Sequence, residues 1–256
     1  MNNYFAGLDI GASYTKCVVV DGHEAIKKFA VTQTGFDFEE NAKRVLDEVS
    51  GLDGEIVSIC STGYGRKNVD FARFNRTEIA CQSKGCFKVF GAEATIVDIG
   101  GQDVKIIRID GEGKRIDFKM NRKCAAGTGA FVEEIAFKIK IPVEKLDEIA
   151  RSATGEITLG SFCTVFTATE ILSHIRAQVP LPNIVRGIFR SVARRISEMD
   201  YFSKKVIFTG GLAKRGSTLS KMIAEETGSE VWVPENPQIT CALGAALYAK
   251  EAFSNP

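Results

Sequence analysis

Ala94-Thr-Ile-Val-Asp98-Ile-Gly-Gly-Gln-Asp-Val-Lys105 is the stretch of sequence that decides the fold, because its pattern occurs twice. The earlier copy reads Asp9-Ile-Gly-Ala-Ser-Tyr-Thr-Lys16. Each copy has an apolar strand, Asp-Ile-Gly, a polar turn and a lysine seven residues after the aspartate. A glycine-containing turn between such strands predicts a β-hairpin. The duplication predicts two similar α/β domains that face one another and are joined near residues 90–94.

Strand-like and helix-like patterns alternate around the two hairpins, as in an α/β protein. Further strands are predicted over residues 4–10, 15–21, 56–60 and 205–208, and helices over 38–49, 125–138, 143–153, 164–177, 184–201 and 239–252. Pro142, Pro180 and Pro182 mark helix boundaries. We assign residues 1–92 and 239–256 to the first domain and 93–238 to the second. Gly244, Ala245 and Ala246 would let the last helix pack closely against the first domain.

Composition excludes several classes of protein. The 256 residues carry 33 Lys and Arg against 32 Asp and Glu, so no charge excess points to nucleic acid or a membrane surface. The N-terminal sequence lacks a basic region followed by an apolar stretch, and no apolar run reaches the ~18 residues of a membrane span. We therefore expect a cytoplasmic protein. Its seven scattered cysteines favour reduced thiols or metal ligands over disulfides.

Three glycine-containing turns are candidate phosphate loops. Backbone N–H groups in such turns approach phosphate oxygens, and an adjacent aspartate can hold Mg²⁺ through water. The predicted nucleotide contacts are Gly11, Ala12, Ser13, Lys16, Asp98, Gly100, Gly101, Gly210 and Gly211. Asp9 is assigned a catalytic role, and Gln102 or Asp103 could orient an attacking water, as in other NTPases. Each turn alone could be a plain hairpin or strand-to-helix turn, whereas their combination favours a nucleotide.

Cys124 and Cys163 each stand before a predicted helix, without a second cysteine close in sequence. An iron-sulfur cluster usually takes four thiolates, so two per chain suggest a homodimer with one shared cluster. A helix starting at Cys124 would aim its dipole at an anionic cluster. The alternative is that both are inert buried thiols. Patterns around the other cysteines predict core positions for Cys17, Cys60 and Cys241 and favour structural roles for Cys81 and Cys86.

Seven motifs in order carry a family resemblance. They are Asp9-Ile-Gly11, Ser61-Thr-Gly-Tyr-Gly-Arg66, Asp98-Ile-Gly-Gly-Gln-Asp103, Asn121-Arg-Lys-Cys-Ala-Ala-Gly-Thr-Gly129, Phe162-Cys-Thr-Val-Phe166, Thr209-Gly-Gly211 and Ala242-Leu-Gly-Ala-Ala246. Together they resemble the activators (component A) of 2-hydroxyacyl-CoA dehydratases, which are grouped with the ATPase subunits of benzoyl-CoA reductase. The resemblance covers nearly the whole chain. It adds Gly127, Thr128 and Gly129 to the expected nucleotide contacts.

The resemblance implies a two-domain ATPase fold of the actin, Hsp70 and sugar-kinase type. It also implies a homodimer in which Cys124 and Cys163 of each subunit hold one [4Fe-4S] cluster. In such a protein, Mg²⁺ and ATP drive delivery of a low-potential electron to an iron-sulfur partner. That partner would be a 2-hydroxyacyl-CoA dehydratase, a benzoyl-CoA reductase type of enzyme or a double-cubane cluster protein. The electron donor would be a ferredoxin or flavodoxin.

Some positions depart from the family pattern. Arg122 stands where the family often has aspartate, and Gln82 stands where a histidine follows the matching cysteine. Either change could alter cluster potential or partner choice. The segment Gly211-Leu-Ala-Lys-Arg-Gly216 differs from the commoner form that ends in asparagine. Lys119, Arg122 and Lys123 flank the cluster ligand, and either dock an acidic partner or form a solvated face.

Two other functions share the same fold. A small-molecule kinase would need a carboxylate base beside an acceptor pocket and no iron. A chain of 256 residues leaves little room for a sugar pocket. A non-enzymatic nucleotide-binding scaffold or filament protein would not need either cysteine. Iron content and polymerisation therefore separate the three hypotheses.

Overall fold

The structure is a computed structural model that describes residues 2–160, 163–215 and 217–254. The described residues form two compact units. Unit 1 takes the N-terminal part as far as Glu93, Ile109–Ile116 and the C-terminal part from Gln238. Unit 2 takes Ala94–Arg108 and the rest as far as Pro237.

Strands and helices alternate along most of the chain. The strands are β1 (Asn2–Ile10), β2 (Tyr14–Val20), β3 (Ile26–Gln33), β4 (Gly54–Thr62), β5 (Phe74–Asn75), β6 (Ala94–Ile99), β7 (Val104–Ile109), β8 (Arg115–Asn121), β9 (Lys205–Gly210) and β10 (Glu230–Trp232). The helices are α1 (Phe38–Glu48), α2 (Glu78–Phe90), α3 (Gly129–Lys138), α4 (Leu146–Arg151), α5 (Thr164–Arg176), α6 (Leu181–Ser197), α7 (Gly211–Arg215), α8 (Ser217–Thr227) and α9 (Thr240–Ser254).

Unit 1 is a sheet covered on both faces. The strand order is β3-β2-β1-β4-β5, with β1 antiparallel to β2 and parallel to β4. Seven consecutive residues of β1, from Tyr4 onward, are buried, as expected for a central strand with helices on both sides. One apolar cluster joins the sheet to α9, and a second joins the opposite face to α1. This arrangement fixes the β1–β2 turn at one edge of a rigid core.

Glycines allow the backbone of α9 to lie directly against the backbones of β1 and α2. A Cβ atom on Gly7 of β1 would lie 2.0 Å from the Ala242 carbonyl oxygen. A Cβ atom on Gly244 would lie 1.8 Å from the Cys81 carbonyl oxygen of α2, and one on Gly85 would lie 1.9 Å from that of Thr240. The predicted close packing of the last helix onto the first sheet is confirmed.

Unit 2 has a second sheet, with the strand order β10-β9-β6-β7-β8. Strand β6 runs parallel to β9, with Asp98 beside Thr209 and Ile99 beside Gly210. One large apolar cluster packs this sheet against residues of α3, α4, α6 and α8. The packing places the ends of β6 and β9 and the start of α3 together.

Several predicted boundaries were wrong. The helix predicted over 125–138 begins only at Gly129, because Gly127 has a left-handed backbone with φ of +85° and Thr128 is the N-cap. The helix predicted over 184–201 runs from Leu181 to Ser197, because Pro180 caps it and Pro182 fits its first turn. Strands β3 and β8 and helix α2 were not predicted. Within the described ranges, no helix is long and apolar enough to cross a bilayer.

Candidate functional site

The first Asp-Ile-Gly turn joins β1 to β2 and places an ion pair beside it. Asp9 is the penultimate residue of β1, and its Oδ2 accepts a hydrogen bond from Lys16 Nζ at 2.9 Å. The Gly11 amide donates to the Tyr14 carbonyl at 3.1 Å, which closes the turn. Thr34 Oγ1 donates to the Gly11 carbonyl at 2.9 Å, and the Thr34 amide donates to the Ser13 carbonyl. Thr34, the residue that follows β3, therefore holds the turn in place through two hydrogen bonds.

The second turn repeats this arrangement in unit 2. Lys105 Nζ lies 3.5 Å from Asp98 Oδ2 and 2.7 Å from Asp103 Oδ1, and only 5% of Lys105 is exposed. Thr209 Oγ1 donates to Asp98 Oδ1 at 3.0 Å. The Gly100 amide donates to the Asp103 carbonyl at 2.9 Å. One lysine thus compensates two carboxylates at the end of β6.

Three sequence motifs meet around this second turn. The Gly129 amide donates to the Gly100 carbonyl at 2.9 Å, and the Ala130 amide donates to the Gly101 carbonyl at 2.8 Å. Gly210, with φ of +96°, lies so close to β6 that a Cβ atom would be 2.1 Å from the Ile99 carbonyl oxygen. The first two backbone N–H groups of α3 are thereby bonded to the turn itself.

The two predicted water-orienting residues lie in different environments. The Asp103 carboxylate is engaged by Lys105, whereas Gln102 in the same turn is exposed. The remaining predicted contacts, Ala12 and Gly211, lie in the β1–β2 turn and at the first residue of α7.

Cys124 lies in an irregular segment between β8 and α3 and is partly exposed. Its carbonyl accepts a hydrogen bond from Asn121 Nδ2 at 3.2 Å, and the Thr128 amide and hydroxyl both donate to the Ala125 carbonyl. The prediction that Cys124 starts a helix is wrong, since α3 begins five residues later. The first amides of α3 point to Gly100 and Gly101, so a direct dipole argument does not apply to Cys124.

Cys163 is the N-cap residue of α5, and it is exposed. Its carbonyl accepts a hydrogen bond from the Thr167 amide at 2.8 Å, the first bond of the helix. A thiolate at this position lies in the positive end of the helix dipole. Helices α3 and α5 contact each other, so the two cysteines precede neighbouring helices. Phe162, the first residue of the motif that contains Cys163, and Gly216 lie outside the described residues.

Four of the other five cysteines are fully enclosed. Cys17, Cys60, Cys81 and Cys86 are buried and Cys241 is partly buried. Burial raises the pKa of Cys17 to about 12. The hydrogen bond with Cys60, together with burial, raises the pKa of the Cys81 thiol far above its ordinary value. Such thiols stay protonated near neutral pH and are poor metal ligands.

The two departures from the family pattern lie in different environments. Gln82 is buried in α2, and its Nε2 donates to Thr240 Oγ1 of α9 at 2.9 Å, so its side chain joins two helices. Arg122 and Lys123 are exposed beside Cys124. Lys119 is exposed as well, but it pairs with Asp200 at 3.2 Å. Arg122 and Lys123 are thus the exposed cations next to the cysteine.

Two residues that contact Asp98 were not predicted from the sequence. Lys105 and Thr209 both contact Asp98, although neither was assigned to the site. For Lys105 the signal was present, because Lys16 holds the same position in the first copy of the repeat and was assigned. For Thr209 the signal was weaker, because a threonine before Gly210 acquires its role only when β9 pairs with β6.

Comparison with known proteins establishes the family. Residues 6–249 match the sequence model of the BadF/BadG/BcrA/BcrD ATPase family. The chain belongs to this family. Its relatives include the activator of lactoyl-CoA dehydratase from Anaerotignum propionicum, which is 40% identical over 97% of this chain and 98% of the relative.

Solved structures extend the family comparison to the fold. The activator of the 2-hydroxyisocaproyl-CoA dehydratase from Clostridium difficile, solved with bound ADPNP, superposes with a TM-score of 0.92 at 36% identity, covering 98% of this chain and 96% of that one. A ROK family glucokinase from Streptomyces griseus reaches 0.57 at 14% identity, over 97% and 99% of the two chains, and shows similarity of fold alone. The predicted actin-like and sugar-kinase-like ATPase fold is confirmed.

Proposed function

We propose that this chain is an ATP-dependent electron-transfer activator. It acts as a homodimer in which Cys124 and Cys163 of each subunit hold one [4Fe-4S] cluster, and it delivers a low-potential electron to an iron-sulfur dehydratase or reductase. Membership of an ATPase family and the names of its relatives support the ATP-dependent activator role. A ferredoxin or flavodoxin serves as electron donor in this proposal.

The exposure of Cys124 and Cys163 supports the cluster. Cys163 is exposed at a helix N-terminus and Cys124 is partly exposed, while four other cysteines are fully buried. Among the described residues, no group of three or more His, Cys, Asp or Glu side chains could hold a metal ion. The thiols therefore suit a cluster whose remaining ligands come from a second subunit. When bound, such a cluster supplies a one-electron redox centre at a potential that its surroundings adjust.

An exposed ring beside Cys163 supports subunit contact there. Phe166 lies three residues into α5 and is 67% exposed. Phe166 and Cys163 are therefore both exposed at the N-terminal end of α5. A second subunit that covered both groups would remove the ring from water and bring further thiolates to the cluster.

The nucleotide part of the proposal rests on the two Asp-Ile-Gly turns. Asp9 and Asp98 hold Mg²⁺ through water, Lys16 faces phosphate, and Gln102 orients the attacking water. The backbone amides of Ala12 and Ser13 in unit 1, and of Gly101 and Gly211 in unit 2, contact phosphate oxygens. Gly11, Gly100 and Gly210, whose own amides bond to carbonyls of the chain, shape the turns, with Gly127, Thr128 and Gly129 close by.

One observation carries the coupling between ATP and redox chemistry. The Gly100 and Gly101 carbonyls accept hydrogen bonds from the first amides of α3, and Cys124 lies five residues before that helix. A nucleotide that moves the Asp98 turn would therefore also move the start of α3 and the segment before it, which carries Cys124. Differential affinity of ATP and ADP for the two positions of this turn would drive the change.

Iron and acid-labile sulfide per chain, measured after anaerobic reconstitution, test the proposal. We expect about two irons and two sulfides per chain in a dimer, the content of one shared four-iron cluster. Cys124→Ala and Cys163→Ala lose the iron, whereas the matched control Cys241→Ala keeps it. ATP hydrolysis without any iron would contradict the electron-transfer role and favour a kinase or scaffold.

A further inference from the structure

The motif Ser61-Thr-Gly-Tyr-Gly-Arg66 has no role in the proposed function. It begins at the end of β4 and continues into the loop that follows. Strands β1 and β4 are parallel, and their register places Thr62 beside Asp9. The loop therefore leaves the sheet next to the residue that was assigned to Mg²⁺.

Gly63 brings the loop backbone against Asp9. Its φ is +91°, a conformation that favours glycine, and a Cβ atom here would lie 2.4 Å from the Ile10 carbonyl oxygen. The same atom would lie 2.7 Å from Asp9 Oδ1. Any side chain at this position would have to displace the Asp9 carboxylate or the β1 backbone.

Hydrogen bonds hold the loop in this position. The Gly65 amide donates to the Ile10 carbonyl at 2.9 Å, and Arg66 Nη1 donates to the Gly63 carbonyl at 3.1 Å. Ser61 Oγ donates to the Arg66 carbonyl at 2.8 Å. Gly63 and Gly65 are buried, while Tyr64 between them is 74% exposed. The loop backbone is thus fixed to β1 even though its central side chain reaches solvent.

The two oxygens of Asp9 lie in different surroundings. Lys16 Nζ binds Oδ2 at 2.9 Å, and Oδ1 keeps its position only while residue 63 has no Cβ atom, which would lie 2.7 Å away. A carboxylate held in this way presents one orientation to a hydrated cation, whereas an unrestrained one rotates about χ2. Preorganisation of this kind lowers the cost of binding and of reaching the reactive geometry.

We propose that the Ser61–Arg66 loop is a positioning element for Asp9, with Gly63 as its decisive residue. The loop fixes the orientation in which Asp9 meets the hydrated Mg²⁺ of the bound nucleotide. Gly63 touches neither nucleotide nor metal in this account and acts through Asp9. The inference rests on the proposed function, because Asp9 meets MgATP only if the chain is an ATPase.

The test compares three glycine variants for the Mg²⁺ dependence of ATP hydrolysis. Gly63→Ala introduces the clash with Asp9. Gly91→Ala is the matched control, because Gly91 also has positive φ, at +61°, but a Cβ atom there meets nothing within 4 Å. Gly65→Ala is the milder variant, because its φ is −85° and its Cβ atom would meet side-chain atoms of Ile10 and Phe38, with no backbone atom among its three nearest neighbours.

In Gly63→Ala we expect the Mg²⁺ concentration for half-maximal hydrolysis to rise by about tenfold, with kcat largely recovered at saturating Mg²⁺. Gly65→Ala shifts the same value in the same direction by less, and Gly91→Ala leaves it at the wild-type value. A structural defect alone would lower Tm without moving the Mg²⁺ half-saturation point.

Unchanged Mg²⁺ dependence in Gly63→Ala would overturn the positioning role. If Gly63→Ala does not fold, the test rests on Gly65→Ala. An unchanged Mg²⁺ concentration for half-maximal hydrolysis in that variant would then overturn the positioning role. Wild-type protein that hydrolyses no ATP would overturn the proposed function, and the inference with it. If the wild-type protein hydrolyses ATP but the variants keep its Mg²⁺ dependence, only the positioning role is overturned.

Discussion

At the scale of single residues, two aspartates at strand ends each face the lysine seven positions along the chain. Asp9 pairs with Lys16 at 2.9 Å, and Asp98 lies 3.5 Å from Lys105. Hairpin register explains the spacing, since Asp9 is directly opposite Lys16 across the β1–β2 pair. In the second copy, Lys105 also binds Asp103.

Lys105→Met tests how far the second turn depends on its buried lysine. The substitution leaves Asp98 and Asp103 without their cation, so we expect the free energy of unfolding to fall by about 3 kcal/mol, as when a buried pair loses one partner. Urea denaturation measures the change. Adding Asp103→Asn should recover part of the loss, because it removes one of the two uncompensated charges. A double variant no more stable than Lys105→Met would contradict this explanation.

Residue chemistry predicted some of the candidate site and left other parts open. Sequence context separated Cys17 and Cys60, which are buried, from Cys124 and Cys163, which are not. It did not reveal that the α3 amides are bonded to Gly100 and Gly101, because those carbonyls belong to a hairpin far away in sequence. Long-range backbone pairing of this kind has no local signature.

At the scale of secondary-structure elements, glycines decide how closely helices pack. In α9, a Cβ atom on Gly244 would lie 1.8 Å from the Cys81 carbonyl oxygen. The contact is with backbone, so one of the two helices would have to move.

Gly244→Ala should therefore destabilise the protein although alanine is the better helix former. The gain in helix propensity is about 1 kcal/mol, and overpacking against a backbone atom costs about 3 kcal/mol, so we expect a net loss of about 2 kcal/mol. Thermal and urea unfolding measure it. Gly22→Ala is the control, because a Cβ atom at Gly22 meets nothing within 4 Å. Equal stability of the two variants would argue against close α2–α9 packing.

A buried carboxylate links α4 to the start of α8. Asp147 Oδ1 accepts a hydrogen bond from the Thr218 amide at 2.8 Å, and Oδ2 accepts one from Ser217 Oγ at 3.1 Å. Burial alone would raise the pKa of Asp147, but the hydrogen bonds from Thr218 and Ser217 and the charge of Arg151 lower it below its ordinary value. The ionised form is therefore the one that stabilises the fold.

Asp147→Asn should make that contribution measurable through its pH dependence. A lowered pKa means that the stabilisation is present above the unfolded-state pKa of about 3.9 and is lost as pH falls through the folded-state value. We expect the variant to be less stable by about 1–3 kcal/mol at pH 7, and the difference to shrink below about pH 4. Urea unfolding at several pH values measures it. A stability difference that did not change with pH would contradict a stabilising role for the ionised Asp147 carboxylate.

Pattern and propensity predicted elements with regular signals better than those shaped by tertiary contacts. The two hairpins follow from the apolar strands on either side of Asp-Ile-Gly and its polar turn. Helix α2 was missed because Gly85 lowers its helix propensity, yet glycine is needed there for the approach to Thr240. Strand β3 was missed because it is an edge strand rich in polar residues. Strand β8 alternates polar and apolar residues, so its signal was present in the sequence.

At the scale of the whole molecule, the proposed function requires a connection between the nucleotide turn and the cysteine-bearing segment. This connection runs within unit 2 from the Asp98 turn through the Gly100 and Gly101 carbonyls to the first turn of α3, which follows Cys124. Family membership accounts for the ATPase, and in the proposed function these hydrogen bonds transmit the nucleotide state to the cluster. Neither feature alone would couple the two.

The most direct test of that coupling is a redox titration of the reconstituted, anaerobic dimer, followed by electron paramagnetic resonance. It is carried out once with saturating MgADP and once with a saturating, non-hydrolysable ATP analogue. The account predicts midpoint potentials that differ by about 59 mV or more, a tenfold change in the one-electron equilibrium. Identical midpoint potentials in the two nucleotide states would contradict it.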